Sequence, residues 1–363
     1  MILESNVKPQ YIPPNSWIGI PDLALSFEVL TKRLNIPFPI QQIKDSETSL
    51  IDSLKGIWKN SLIILPIHQI KKQLITVVGQ IEQAYPNLLT VSLDPFYINN
   101  RPVFHVNRIA NTQGNFIGFG PRPGEKSLKN QIDTISELAH QQNKSDVLIV
   151  DDFLMSGRTA LSAVKAFKKR GFNIVGVTVG VAKKATVEEF FQLGIEVVAP
   201  FIYTTIKDAA YFRDLVAGAP RAGLVLGKVN ASGTVRPLID NNGIPFRPPY
   251  AAAPPKMPWD MTTKWAGIPE NEIKNFSVVC WRVGQTIHTA LISADGNRTV
   301  ELGDLVSDAS STIGFPGPSP KHMSNGMLDA KKPILAVIDH KIKKILGFPD
   351  KQTFYSFPDN KND

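Results

Sequence analysis

Two adjacent carboxylates, Asp151 and Asp152, stand just before Met155-Ser156-Gly157-Arg158-Thr159. Carboxylates accept hydrogen bonds from hydroxyls. A turn that opens a helix offers outward N–H groups and the positive end of the helix dipole to an anion. Ser156 and Thr159 add hydroxyl donors, and Gly157 lets backbone come close to a ligand. The two acids would repel a bare phosphate. The pattern therefore suits a ligand with sugar hydroxyls at one end and phosphate at the other.

The elements that must position these residues flank them. Val147-Leu148-Ile149-Val150 is a short apolar run rich in β-branched side chains and reads as a strand buried on both faces. Beyond the turn, Ala160 to Gly171 is apolar-periodic and ends in glycine, so it reads as a helix.

The stretch 147–159, VLIVDDFLMSGRT, resembles the phosphoribosyl-pyrophosphate (PRPP) signature of the type I phosphoribosyltransferases. Ser156 stands where Thr is usual in that signature, and Arg158 where a second Gly is frequent. The resemblance implies that Asp151 and Asp152 hold the ribose 2- and 3-hydroxyls and that the turn from Met155 to Thr159 wraps the 5-phosphate. The implied reaction transfers a 5-phosphoribosyl group from PRPP to a nitrogen of a nucleobase-like heterocycle and releases pyrophosphate. Mg²⁺ is the implied cofactor, held largely by the substrate, with Asp151 and Asp152 as the metal ligands on the protein side.

By the same resemblance, the first strand of the core, at 61–67, ends in a pyrophosphate loop at Pro66-Ile67-His68-Gln69. Ile67 and His68 occupy it without the glycine or basic residue usual there, and His68 also reads as an ordinary loop histidine. A mobile loop is implied over 99–124, with Arg101, Arg108 and Arg122 as cations for the leaving pyrophosphate. Arg101 and Arg122 join the two aspartates as catalytic candidates. Phe201 and Tyr203 fall beyond a strand end, where a flat base would bind, and Tyr203 reads equally as core.

Around this stretch strands and helices alternate. The strand at 61–67 is followed by a helix over 68–85 with Ile70, Leu74, Val77, Val78 and Ile81 at helical spacing. A strand from Leu88, a helix over 125–141, the signature strand and helix, a strand from Asn173, a helix over 185–194 and a strand from Ile195 complete the series. Repeated strand–helix order predicts an α/β fold, a doubly wound, mostly parallel sheet of the phosphoribosyltransferase type. Residues 1–60 read as a helical and irregular hood, with a helix at Leu23–Leu34 capped by Asp22 and a second over Leu50–Trp58. Residues 61–227 read as the core. Residues 228–363 read as a proline-rich linker, extended over 243–258, and a C-terminal α+β cap. Within the cap, 271–292 fits a helix or a strand pair equally well, and TVELGDLV and PILAVIDHKIKKIL follow it.

Composition narrows the function classes. A hydrophobic content of 43% with 20% charged residues is that of a globular protein, and no run approaches the ~18–20 apolar residues of a membrane span. No basic segment followed by an apolar core is visible at the start. One cysteine, Cys280, excludes an internal disulfide and suits a cytoplasmic setting. The six histidines show no ligand spacing. GFGPRPGEKS lacks the contiguous Gly-Lys-Ser/Thr of a nucleotide-binding loop because Glu125 intervenes. The expected partners are PRPP and a heterocyclic base, with a homodimer as the assembly and no membrane. A PRPP-sensing regulator that binds nucleic acid is the alternative, allowed by the net charge of +8. Lys and Arg are spread along the chain without a basic reading helix, so nucleic acid is not the expected partner. A phosphatase- or phosphorylase-like use of the same site is a third reading.

Overall fold

The structure, a computed structural model, describes residues 16–98, 100–110, 116–122, 125–216, 218–219, 225–231, 235–237, 268–269, 271–294, 300–301 and 333–347. The proline-rich stretch 243–258, most of TVELGDLV, and Gly114 and Gly124 of the expected mobile loop lie outside these residues. The chain divides into two compact units. One comprises 1–22, 58–108 and 118–210, and the other 23–57, 109–117 and 211–363.

The described elements run β1 (Trp17–Ile20), α1 (Leu23–Leu34), α2 (Ile40–Trp58), β2 (Leu62–Ile64), α3 (Ile67–Ala84), β3 (Leu88–Ser92), β4 (Val106–Ala110), β5 (Phe116–Pro121), α4 (Leu128–Gln141), β6 (Asp146–Leu154), α5 (Arg158–Lys168), β7 (Asn173–Lys183), α6 (Lys184–Gln192), β8 (Val197–Val198), β9 (Phe201–Tyr203), β10 (Asp208–Tyr211), α7 (Phe212–Leu215), β11 (Val225–Val229), β12 (Val235–Pro237), α8 (Ile273–Ala294) and α9 (Ile334–Gly347).

The first unit is α/β. Its main sheet is parallel in the order β3-β6-β7-β8, with β9 also paired to β7. Val147 to Val150 are fully buried at its centre, as a β-branched run covered on both faces requires. Strand β6 does not stop at Val150. It pairs onward with β7 through Asp151↔Val179, Phe153↔Val181 and Leu154↔Ala182, because β7 continues with buried apolar residues that keep the ladder going. The expected single strand from Ile195 is two short strands. Pro200 lies between them and has no N–H to give the ladder.

The expected strand at 61–67 is shorter, Leu62–Ile64, and does not enter the main sheet. It pairs in parallel with β1 in a separate three-stranded sheet, β10-β1-β2. Buried Trp17–Ile20 provide an apolar partner edge, and Pro66 ends the run. Trp17 stacks on Trp58 with ring centroids 4.2 Å apart and planes 2° from parallel, and the Lys207 ammonium lies 5.4 Å from the Trp17 ring centre. Helix α3 nonetheless packs on β7 of the main sheet, burying Ile70, Leu74, Val78 and Ile81.

In the second unit, α2 is ten residues longer at its start than the expected Leu50–Trp58. Helix α1 has the expected bounds, and Glu47 Oε1 accepts the Leu23 N–H of its first turn at 2.9 Å. The stretch expected as a helix or a strand pair over 271–292 is a helix, α8, from Ile273, and α9 packs against it. Within this unit the buried His288 of α8 meets the Phe27 ring edge-on at 5.6 Å. Strand β11 pairs in parallel with Ile109 and Ala110 and antiparallel with β12.

Candidate active site

The carboxyl end of β6 carries the two aspartates, and three residues, Met155 to Gly157, separate that strand from α5. Gly157 caps the helix with φ +64°, a left-handed conformation that glycine adopts cheaply. Its carbonyl accepts the first helical bond, from the Leu161 N–H at 2.8 Å. The Met155 carbonyl accepts from the Thr186 hydroxyl of α6, so the turn is tied to the neighbouring helix as well as to α5. Ser156 and Arg158 are exposed and Thr159 is half-buried. Strand, turn and helix N-terminus thus form the arrangement that takes an anion.

Strand β3 adds a residue that the motif does not include. The Leu93 N–H donates to the Val150 carbonyl at 2.7 Å, so the turn at 93–98 lies beside the aspartates. Asp94 in this turn is 1% exposed, and its Oδ1 accepts the Phe96 N–H at 2.8 Å. The only sequence signal for it was an acid between a strand and a proline, in SLDPF.

Two cations are fastened to the same turn. Arg122 Nη2 donates to the Leu93 carbonyl at 3.1 Å, and Lys71 Nζ to the Phe96 carbonyl at 2.9 Å. A Cβ on Gly180 would lie 2.3 Å from Ile70 Cγ2 and 2.9 Å from the Asp152 carbonyl oxygen. The first turns of α3 therefore stand against the backbone of Asp152.

These charges act on Asp151. Burial pushes its carboxyl up to about 6, and the Asp94 carboxylate adds to the rise. The Asp152 N–H, 2.9 Å from Asp151 Oδ1, and the Arg122 guanidinium oppose it.

The other expected residues are distributed unevenly. Ile67 and His68 are not in a loop: they open α3 behind Pro66, and His68 is exposed. Arg101 does not approach the aspartates. Its Nε and Nη2 each lie 2.7 Å from a Glu82 carboxylate oxygen, and Glu82 sits about three turns beyond Ile70 on α3, ~18 Å along the axis. The reason is simple electrostatics: a planar fork finds a matching carboxylate. Arg108 lies on β4, near the half-buried Asp208, whose carboxyl desolvation raises to about 6 against the opposing Ala209 N–H and, more weakly, Arg108. Phe201 and Tyr203 pair with the end of β7 and are 5% and 3% exposed, and burial raises the Tyr203 hydroxyl. Among the described residues, then, Asp151, Asp152, Asp94, Arg122, Lys71 and the 155–159 turn come together, whereas Arg101 does not join them.

No group of three or more His, Cys, Asp or Glu side chains that could hold a metal forms among the described residues. No helix of the described residues is long and apolar enough to cross a membrane. No family model, curated protein or solved structure matches the chain.

Proposed function

We propose that the protein binds PRPP and transfers its 5-phosphoribosyl group to a nitrogen of a heterocyclic base. The observation that carries this reading is the continuity of β6, Met155–Gly157 and α5. Two carboxylates at the strand end lead, after a turn capped by a left-handed glycine, into a helix N-terminus. That sequence of groups offers acceptors to a diol and donors to a phosphate.

On this reading the aspartates orient the ribose, and the 155–159 backbone with Ser156 and Thr159 holds the 5-phosphate. Arg122 and Lys71 supply positive charge where the pyrophosphate departs, and fixing substrate and cations together accounts for most of the catalysis. The carboxylates of Asp151 and Asp152 are hard oxygen donors of the kind Mg²⁺ prefers. A magnesium ion bound mainly by PRPP would neutralise the departing phosphates. The closeness of Asp94 to Asp151 favours a cationic occupant between them and the substrate.

The test is to titrate PRPP with Mg²⁺ and then supply purines, pyrimidines and related heterocycles. Pyrophosphate release that depends on both PRPP and a base supports transfer. PRPP binding without release on any base, together with PRPP-dependent DNA binding, would favour the regulator instead.

A further inference from the structure

A cavity lies at the end of the main sheet away from the aspartates, at the amino ends of β3 and β6, where Leu88 pairs with Asp146. It encloses about 560 Å³, within the range of small-molecule pockets. Tyr85, Pro102 and Leu138 are among its apolar lining, and Asn100, Gln142 and Lys144 are among its polar lining.

The charges in this cavity do not balance. Glu82 and Arg101 satisfy one another through the two 2.7 Å bonds, and Glu82 also accepts from the Thr90 hydroxyl at 2.6 Å. The guanidinium holds the Glu82 carboxyl below its ordinary range, so the pair stays ionised and neutral overall. Lys144 also acts on the Glu82 carboxylate, so two cations face one anion and the cluster carries one excess positive charge. The Lys144 Nζ donates to the neutral Leu88 carbonyl at 2.7 Å and has two further N–H groups. A half-buried ammonium that faces a space of mixed lining, with Tyr85, Pro102 and Leu138 on it beside amide side chains, is suited to a carboxylate with a small apolar body.

We propose that this cavity is a binding site for a small organic monoanion, with Lys144 as its charge partner and Tyr85, Pro102 and Leu138 covering the apolar body. It is independent of the PRPP reading, because none of these residues belongs to the carboxyl-end site.

Benzoate and its neutral analogue benzamide are suitable probes, with binding to the full chain followed by ligand-observed NMR and calorimetry. Benzoate should bind more tightly than benzamide. Lys144→Met keeps the stem and removes the charge, so it should weaken benzoate roughly tenfold or more and leave benzamide unchanged. Leu138→Trp fills the cavity and should abolish both, while Asp152→Asn should change neither. Thermal unfolding confirms that each variant is folded. Three results would overturn the proposal: no benzoate binding to the wild type, equal binding of benzoate by folded Lys144→Met and Leu138→Trp, or loss of benzoate binding in Asp152→Asn.

Discussion

Phe190 Cε2 stands 2.3 Å from the point a Cβ on Gly157 would occupy, and Phe190 Cζ stands 2.9 Å from it. The glycine of the turn is therefore required by the packing of α6, before any ligand arrives. Its left-handed φ adds ~1–2 kcal/mol of strain for any other residue, and the clash adds about 1–3 kcal/mol. Gly157→Ala should lower the unfolding midpoint strongly with or without PRPP. Adding Phe190→Ala should remove the steric part, making the double variant less destabilised than the sum of the two singles. Strictly additive losses would show that the two side chains do not meet.

Ligand binding is better tested at the aspartates. Each hydrogen bond to a charged group is worth ~1.5–3 kcal/mol, so Asp152→Asn should weaken PRPP–Mg²⁺ by at least about tenfold in a protein with an unchanged unfolding midpoint. Calorimetric titration decides it, and wild-type affinity would remove Asp152 from the ribose site.

Asp151 makes a separate, ligand-free prediction. Its folded pKa, about 6, lies above the ordinary carboxylate value. The folded state thus binds the proton more tightly, and folding gains stability as pH falls from about 6 toward 4. Above that window the buried charge is a cost. Asp151→Asn should therefore be more stable than wild type at pH 7–8, by about 1–2 kcal/mol after allowing for contact with water, and the difference should shrink by pH 4. Urea unfolding across this range measures it.

His288 has the opposite sign. Burial lowers its pKa to about 4, against the milder pull of the Gly218 backbone. The unfolded chain then binds the proton more tightly, so stability is lost as pH falls from about 6.5 through 4. His288→Leu should flatten this part of the pH profile. An unaltered slope would mean that the imidazole is not held neutral.

Arg122 and Arg101 should separate cleanly. Arg122→Met removes the cation beside Asp151 and should reduce pyrophosphate release by ~10²-fold or more. Arg101→Met breaks a partly exposed pair and should cost only about 0.5–1 kcal/mol of stability, with PRPP turnover unchanged. Equal activity losses would place Arg101 at the reacting centre after all.

The stretch 147–159 was legible because its order of residue types, an apolar run, two acids and a hydroxyl-rich turn, dictates a buried strand end and a helix start at once. The helix stops at Gly171 and Gly194 were legible for a similar reason, since both adopt the left-handed φ such a stop favours. What local pattern could not supply was partner choice. Leu62–Ile64 is apolar enough for either sheet, and only the distant Trp17–Ile20 edge decides between them. Arg101 and Arg122 are equivalent in sequence, and the carboxylate that captures Arg101 lies on another element. The place of Asp94 beside Asp151 is not legible in the sequence, because it arises from a backbone bond between Leu93 and Val150 that no spacing encodes.

The stacked indoles of Trp17 and Trp58 make the small β10-β1-β2 sheet optically distinct. Two chromophores this close and parallel couple their transitions, so the pair should give a near-ultraviolet circular dichroism band that neither ring gives alone. Trp17→Phe or Trp58→Phe should each erase it. Its loss during unfolding would time the separation of Trp17 on β1 from Trp58 at the end of α2, without a label, against the melting of the sheet that carries the aspartates.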